Sequence, residues 1–484
     1  MPHHGSRHNF HPDIFKDFTR KNQTCYISCT QGEEGTHPSK RLVNQLLEMG
    51  FKVLLTAGST LHRGHNAPDR GWKSVSTLNP YPTIEKIEVK NRSMRIAILF
   101  NGDLSHSRQG LVNSAILRAK YLRKVGAFEI DVFCIHEYDS LLLRKLRKTP
   151  KPSFQEEYLI EGQKIKVLYR RNSLLDFLYH RVFHKSTPFV NMAYKGFSKI
   201  FKDYDMVCAH STIGGLVSKE TKKRYGTPYN ITWHGTDIHT QPFYSTNDRK
   251  MIGGIIDNAD SNNFVSLSLL NTAIHIFKNT PNPHVTYNAP NDCFHRYNDQ
   301  KRELLRKKNN VYGNKVVAFV GNLVGIKNVF MLPKIFANVK RECSDTVFWI
   351  VGDGYCRKQL ESKMSNESIT CKFWGNLQPE DMPDIMNCID VLVLPSKNES
   401  FGMVLVEAMA CGANAVGSNV GGIPEVIGRT NCFDLDSDFT DNISARIVEM
   451  LTHKVEQIVN PEFDWNRTAQ METKIFTEII KSKQ

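Results

Sequence analysis

The sequence predicts an α/β protein: two doubly wound domains in tandem, preceded by a partial α/β fragment. Three observations carry this. The chain has 484 residues, and single cores stop growing beyond ~250–300 residues, so more than one domain is required. Short apolar runs, rather than alternating ones, recur along it, as expected of strands covered on both faces of a parallel sheet. Turn residues and helix-length gaps separate these runs, and the rhythm restarts once, around 285–310.

The first series begins at Met94. Residues 94–100 read as a buried strand, broken by Asn101-Gly102-Asp103. A helix at about 110–125 and a strand over Ile130–Ile135 follow, and 206–210 and 229–234 read as further strand ends. After the charged stretch from Asp299 to Lys308, the second series has strands over 316–320, 346–351, 370–374 and 391–394. The predicted organisation is a fragment over 1–80, a linker over 81–93, an N-terminal domain over 94–295 and a C-terminal domain over 296–484. The last helix is a candidate to cross back to the N-terminal domain. In such sheets ligands bind beyond the carboxyl ends of the strands, which for two facing domains means the cleft between them.

Composition bounds the function. An apolar fraction of 40% and an aromatic fraction of 10% suit a folded globular chain. The net charge of +14 suits an anionic partner such as nucleotide phosphates or an acidic lipid surface, or simply a solvated basic surface. Nucleic-acid binding would rest on charge alone, without the interleaved aromatics of a stacking platform. Residues 141–185 hold eleven Lys or Arg against four Asp or Glu, with apolar residues interleaved as in Leu174-Leu175-Asp176-Phe177-Leu178-Tyr179. This suits a peripheral contact with an anionic membrane, and equally an insertion packed on its own domain. No stretch approaches the ~18 apolar residues of a membrane span, and the polar start, Met-Pro-His-His-Gly-Ser, does not read as a signal peptide. Eleven scattered cysteines without a CxxC pair point to reduced thiols and a cytoplasmic setting.

The segment Asn398-Glu399-Ser400-Phe401-Gly402-Met403-Val404-Leu405-Val406-Glu407 follows a strand and enters a helix. Gly402, lacking Cβ, admits a ligand close to the backbone. The N–H groups of Met403 and Val404 fall in the first turn, where a diphosphate gains hydrogen bonds and a favourable dipole. Glu407, one turn on, is placed to accept from ribose hydroxyls, and Glu399 to reach the sugar. From Asn398 to Gly421-Gly422-Ile423-Pro424-Glu425 the sequence resembles the signature of the family 4 retaining glycosyltransferases, which have the GT-B fold. The resemblance runs from about Met94 to the C-terminus and is specific over 316–430. It implies retaining transfer from a nucleotide-sugar donor, most readily a UDP-sugar, with no cofactor and no essential metal. The implied acceptor is a glycan or a lipid-linked glycan, as in surface polysaccharide or lipopolysaccharide synthesis. The inner face of the cell membrane is then a candidate place of association.

Other motifs extend the resemblance. Val320-Gly321-Asn322-Leu323-Val324-Gly325-Ile326-Lys327 is similar to the family's first C-domain strand and loop. Lys327 would neutralise the leaving diphosphate. Asn322 stands where many members carry Arg, so phosphate binding rests more on Lys327 and the helix terminus. Gly321 and Gly352 read as residues of backbone shape. The loop Val351-Gly352-Asp353-Gly354 lines the nucleotide pocket or is only a tight turn. Thr232-Trp233-His234-Gly235-Thr236-Asp237 resembles the HGxD loop, which puts His234 against the transferred sugar and has Asp237 hold the loop or the acceptor. Gly102, Gly110, His210 and Ser211 are weaker candidates. The expected catalytic set is His234, Lys327 and Glu399; donor binding adds Gly321, Asn322, Gly352, Gly402, Met403, Val404 and Glu407.

Residues 1–80 stand apart. Pro2-His3-His4-Gly5-Ser6, Cys25-Tyr26-Ile27-Ser28-Cys29, Thr36-His37-Pro38-Ser39 and Val53-Leu54-Leu55-Thr56 resemble the last part of competence-type metallo-β-lactamase-fold hydrolases. The HxHxDH ligands of that family are missing, so no metal hydrolase is expected, and the segment reads as a truncated fusion or partial gene product. Two rival functions remain. A dehydrogenase or epimerase is disfavoured because the loop 101–106 lacks GxGxxG. A catalytically degenerate module that binds a glycan or a partner is the other.

Overall fold

The computed structural model describes residues 24–29, 52–57, 94–104, 110–149, 151–183, 188–453 and 455–483. The chain forms two compact units, Met1–Arg92 and Ser93–Gln484. In the first, β1 (Thr24–Cys29) and β2 (Lys52–Ala57) pair in parallel, with Thr24 opposite Lys52. The Pro2–Ser6 and Thr36–Ser39 motifs lie outside the described residues.

The second unit holds two sheets. The first half runs β3 (Met94–Asn101), α1 (Gly110–Val125), β4 (Phe128–Asp139), α2 (Leu141–Arg147), β5 (Glu157–Ile160), β6 (Gln163–Asn172), α3 (Leu174–Phe183), α4 (Pro188–Ser198), β7 (Met206–His210), α5 (Ser211–Tyr225), β8 (Tyr229–Trp233), α6 (Thr246–Asn258), β9 (Ser261–Phe264), α7 (Leu267–Phe277) and β10 (Pro283–Val285). The strand order is β10-β9-β8-β7-β3-β4-β6-β5. All neighbours are parallel except β5 and β6. Ile96 to Phe100 of β3 are buried on both faces, which is why the run is apolar throughout rather than alternating.

The second half runs α8 (Asp299–Lys308), β11 (Lys315–Val320), α9 (Leu332–Glu342), β12 (Thr346–Val351), α10 (Arg357–Asn366), β13 (Cys371–Gly375), β14 (Val391–Leu394), α11 (Met403–Ala410), β15 (Asn414–Ser418), α12 (Ile423–Ile427), β16 (Cys432–Phe433), α13 (Phe439–Thr452) and α14 (Trp465–Lys483). Its sheet is parallel throughout, in the order β13-β12-β11-β14-β15-β16. The unit is therefore two Rossmann-like α/β halves. Among the described residues no helix is long and apolar enough to cross a membrane.

Two features were read in the sequence only in outline. The stretch 141–185 is an elaborated insertion: an antiparallel hairpin, β5 with β6, set among the helices α2, α3 and α4. Its strand β6 carries Lys164, Lys166, Arg170 and Arg171, and this density of charge hid the strand period.

The other is the anchor of the last helix. Helix α14 lies on α1 of the first half, where Trp465 stacks on Tyr121 at 6.3 Å and Phe476 lies 6.3 Å from Phe128. Arg118 of α1 and Glu472 of α14 form a buried ion pair within this contact. Arg118 also donates to the Thr286 carbonyl at 2.7 Å, Thr286 Oγ1 at 3.1 Å and Asn288 Oδ1 at 3.0 Å, and Asn263 Nδ2 donates to Glu472 at 3.3 Å. A desolvated pair of this kind is tolerable because its remaining donors and acceptors are met. Removing one partner leaves the other charge buried and alone. Glu472→Ala is expected to cost about 3–5 kcal/mol in chemical denaturation; a loss below about 1 kcal/mol would show that the pair does not anchor the helix.

Candidate functional site

The carboxyl ends of the two sheets meet. Strand β14 ends at Leu394 and leads to Glu399 and Ser400, and β8 ends at Trp233 and leads to His234 and Gly235. A Cβ on Gly235 would overlap Ser400 Oγ, so the two loops touch across the cleft. Behind them, Gly421 and Gly422 cross the Glu399–Ser400 backbone. The Gly422 N–H donates to the Glu399 carbonyl at 2.9 Å. Gly421 has φ +55°, and a Cβ there would overlap that same carbonyl oxygen. Sequence reasoning quoted these glycines as part of a signature; the structure gives them the task of holding Glu399.

Glu399 is ion-paired with Lys327 Nζ. Lys327 reaches this position from the loop after β11, where its N–H donates to the Val324 carbonyl at 3.0 Å and Lys397 N–H donates to the Ile326 carbonyl at 2.8 Å. The loops after β11 and β12 interlock through backbone, and the Tyr355 hydroxyl of the second accepts from Gly325 N–H of the first at 2.9 Å. Gly321 N–H donates to Val351 O at 2.9 Å, and a Cβ on Gly352 would overlap Gly321 O. These glycines thus shape the floor under Lys327. Asn322 is exposed, and its carbonyl accepts from Val324 N–H at 2.9 Å.

Gly402 caps α11 at φ +90°. The helix then presents the first-turn N–H groups of Met403 and Val404, which have no acceptor inside the helix. Glu407 follows one turn later, and burial pushes its carboxyl from the ordinary 4.5 to about 8. Across the cleft, His210 Nδ1 lies 3.0 Å from His234 Nε2. Desolvation, reinforced by the Arg118 charge, lowers His234 to about 3, and burial beside His234 and Arg118 lowers His210 as well. Both rings are neutral at pH 7, so one nitrogen of the pair carries the shared hydrogen and the other accepts it. Burial raises the Asp237 carboxyl to about 6 against the backbone N–H groups of Asp237 and His234 that it accepts from.

The structure therefore brings together Lys327, Glu399, Gly402 and the His234 loop. Gly102, at the end of β3, donates its N–H to Ile135 O at 3.2 Å, and Gly110 opens α1. The loop 105–109 between them lies outside the described residues. Ser211 donates to Asn101 Oδ1.

Sequence reasoning passed over Glu425. From α12 it accepts the N–H groups of Leu267 and Ser268 at 2.8 and 2.7 Å, and the Tyr287 hydroxyl at 3.3 Å. It caps a helix of the other half, a favourable place for a carboxylate. No sequence signal reaches across 157 residues to reveal this. Among the described residues no group of three or more His, Cys, Asp or Glu is placed to hold a metal ion.

Two parallel sheets meeting at their carboxyl ends, with a free helix N-terminus and a cation on one side, define a two-domain Rossmann-like architecture whose cleft favours an anion. Residues 300–457, within the second half, match the family described as Glycosyl transferases group 1. The chain is 32% identical over 203 residues to the N-acetyl-alpha-D-glucosaminyl L-malate synthase of Bacillus anthracis, a match that covers 40% of this chain and spans about half (51%) of that relative. Among solved structures, the Anabaena protein HepE in complex with UDP and glucose superposes with a TM-score of 0.57 at 18% identity, covering 81% of this chain and 98% of that one. The apo form of the lipopolysaccharide outer core galactosyltransferase WaaB superposes at 0.53 with 18% identity, covering 81% and 100%. The fold is that of the GT-B glycosyltransferases.

Two outcomes follow from this geometry. Gly421→Ala is expected to destabilise by about 2 kcal/mol or more, because it adds both a positive-φ strain and an overlap with backbone; an unchanged denaturation midpoint would remove the clasp. For Glu407, the unfolded carboxyl ionises near 4.5 while the folded one stays protonated up to about 8. Stability is therefore lost as pH rises between these values. Glu407→Gln should raise the thermal midpoint more at pH 8 than at pH 5; an equal change at both would contradict the desolvated carboxyl.

Proposed function

We propose that the protein is a retaining, metal-independent glycosyltransferase that moves a sugar from a nucleotide-sugar donor, a UDP-sugar, to a glycan or lipid-linked acceptor in surface polysaccharide synthesis. The observation that carries this is the Lys327–Glu399 pair beside the N-terminus of α11, facing His234 across a cleft of GT-B form. The support for a uridine nucleotide is the fold shared with HepE, whose structure holds UDP and glucose. The support for a surface glycan is the shared fold of the lipopolysaccharide galactosyltransferase.

In this reading the diphosphate lies on the Met403 and Val404 N–H groups with Lys327 at its side, and Asn322 borders it without adding charge. Glu407 accepts from the ribose, and Gly321 and Gly352 leave room for the nucleotide. The sugar sits between Glu399 and His234. As its anomeric bond breaks, the electron pair leaves with the nucleoside diphosphate, and Lys327 and the helix terminus stabilise that charge. The acceptor oxygen bonds to the anomeric carbon on the same face and its hydroxyl proton passes to the diphosphate oxygen departing from that face, so configuration is retained. Neutral His234 acts as a hydrogen-bonding group to the sugar and not as an acid, consistent with its lowered pKa. Asp237, accepting from the loop's own N–H groups, keeps that loop in place.

A cytoplasmic setting is supported by the nine described cysteines, all free.

The test is thermal stability of the full chain against UDP-, GDP- and ADP-sugars, with Lys327→Ala and Glu407→Ala beside it. The expected result is a shift with UDP-sugars that both variants lose. No shift with any donor in the folded protein would favour a non-catalytic binding module of the same fold.

A further inference from the structure

Helix α3 is built inside out. Leu175, Leu178, Tyr179 and Val182 recur at i, i+3, i+4 and i+7, the spacing that gives a packed helix its buried stripe. Here the stripe faces outward: Leu175 is 68% exposed, Leu178 47% and Val182 67%. The opposite side of the helix is the occupied one. The Arg147 guanidinium of α2 lies over the Phe177 ring at 4.5 Å, and Asp176 accepts from the Ser173 hydroxyl at 2.8 Å. Helix α2, joined to α3 by that contact, exposes Leu142 at 66% and Leu146 at 62%. The two helices thus make one apolar surface that nothing in the described unit covers.

Charge identifies what covers it. Lys145, Lys148, Arg171 and Arg181 are exposed around the apolar residues, within a stretch of eleven basic and four acidic residues. A second copy of this chain would bring the same cations against these, at a repulsive cost. An anionic bilayer offers opposite charge to the basic ring and an acyl boundary to the apolar stripe.

The same helices line a cavity of about 700 Å³. Arg147 and Phe177 border it from one side, Tyr194 of α4 from another. Its inner wall holds Glu137 and Arg170, ion-paired near the carboxyl ends of β4 and β6, and Thr212, two residues beyond His210. Thr212 donates to Gln241, also in the wall, at 2.8 Å. The wall thus mixes paired charges, hydroxyl and amide groups with aromatic faces, which suits a polyhydroxylated head group. It lies at the same end of the sheet as His234.

We infer that α2 and α3 rest on an anionic bilayer surface, and that the cavity beneath them receives the glycan head of a membrane-embedded, lipid-linked acceptor. The bilayer contact stands on the surface alone; the acceptor half rests on the transferase reading above.

The experiment uses the full chain with vesicles of phosphatidylcholine alone and of phosphatidylcholine with phosphatidylglycerol. Co-sedimentation is expected with the anionic vesicles and to weaken as salt is added. Leu175→Glu/Leu178→Glu/Val182→Glu should weaken it by about tenfold or more, since it removes buried apolar area and adds negative charge. These exposed side chains are not part of the candidate donor site, so the thermal midpoint and the donor-induced shift should stay as in the parent. No binding to anionic vesicles, or equal binding by parent and variant, would overturn the bilayer contact. So would a parent dimer, seen by light scattering, that the variant converts to monomer. For the acceptor half, sugar transfer is measured into a membrane lipid extract reconstituted in the same vesicles, and the parent should outpace the variant. Equal rates overturn that half. If no sugar nucleotide stabilises the protein while vesicle binding persists, the transferase reading fails and the bilayer contact stands.

Discussion

The candidate site depends on one crossing of two backbones, where Gly421 and Gly422 pass over Glu399 and Ser400. That crossing leaves no room for a side chain, and it fixes the loop between β14 and α11 from behind. The loop then does three things. It pairs Glu399 with Lys327, it delivers Gly402 to the left-handed conformation that opens α11, and it sets Ser400 against Gly235 of the other half. Four residues downstream of Gly421, Glu425 caps α7 in that half. The stretch that shapes the donor side of the cleft therefore also ties the two halves together. A loop free to move would leave neither the cation nor the helix N-terminus at a defined distance from an incoming diphosphate, and electrostatic stabilisation depends on such preorganisation.

Around the Lys327–Glu399 pair, burial decides the charge state of several groups of the cleft. Burial holds Glu407 protonated near neutral pH, and His234 and His210 are kept unprotonated by desolvation and by the Arg118 charge. Charge in such a place is expensive, which sets the Lys327–Glu399 pair apart from these neutral groups. The same Arg118 anchors α14 through Glu472. The last helix and the histidine pair are thus electrostatically linked, although they are more than two hundred residues apart in the chain.

Much of the fold was legible because parallel strands covered on both faces must be apolar along their whole length. The strands at 94, 206, 229, 316, 346 and 391 announced themselves in this way. The hairpin of β5 with β6 did not, since it lies at the edge of its sheet and carries charge on an exposed face. The residues around Lys327, Glu399 and Gly402 were legible through the resemblance to family motifs, each of which lies next to the strand end that positions it. The His210–His234 contact and the Glu425 cap were not, as each joins separate elements across the fold.

The sequence by itself determined the tandem parallel sheets and the glycine-opened start of α11 at the carboxyl end of β14, because local period and helix-start chemistry depend on neighbouring residues. Tertiary structure decided which carboxylate meets Lys327, which glycines hold the loop, which histidine nitrogen faces which, and on which side of α3 the apolar stripe lies. Each of these depends on desolvation and contact between segments distant in the chain, and the same residue order is compatible with either outcome until the elements have packed.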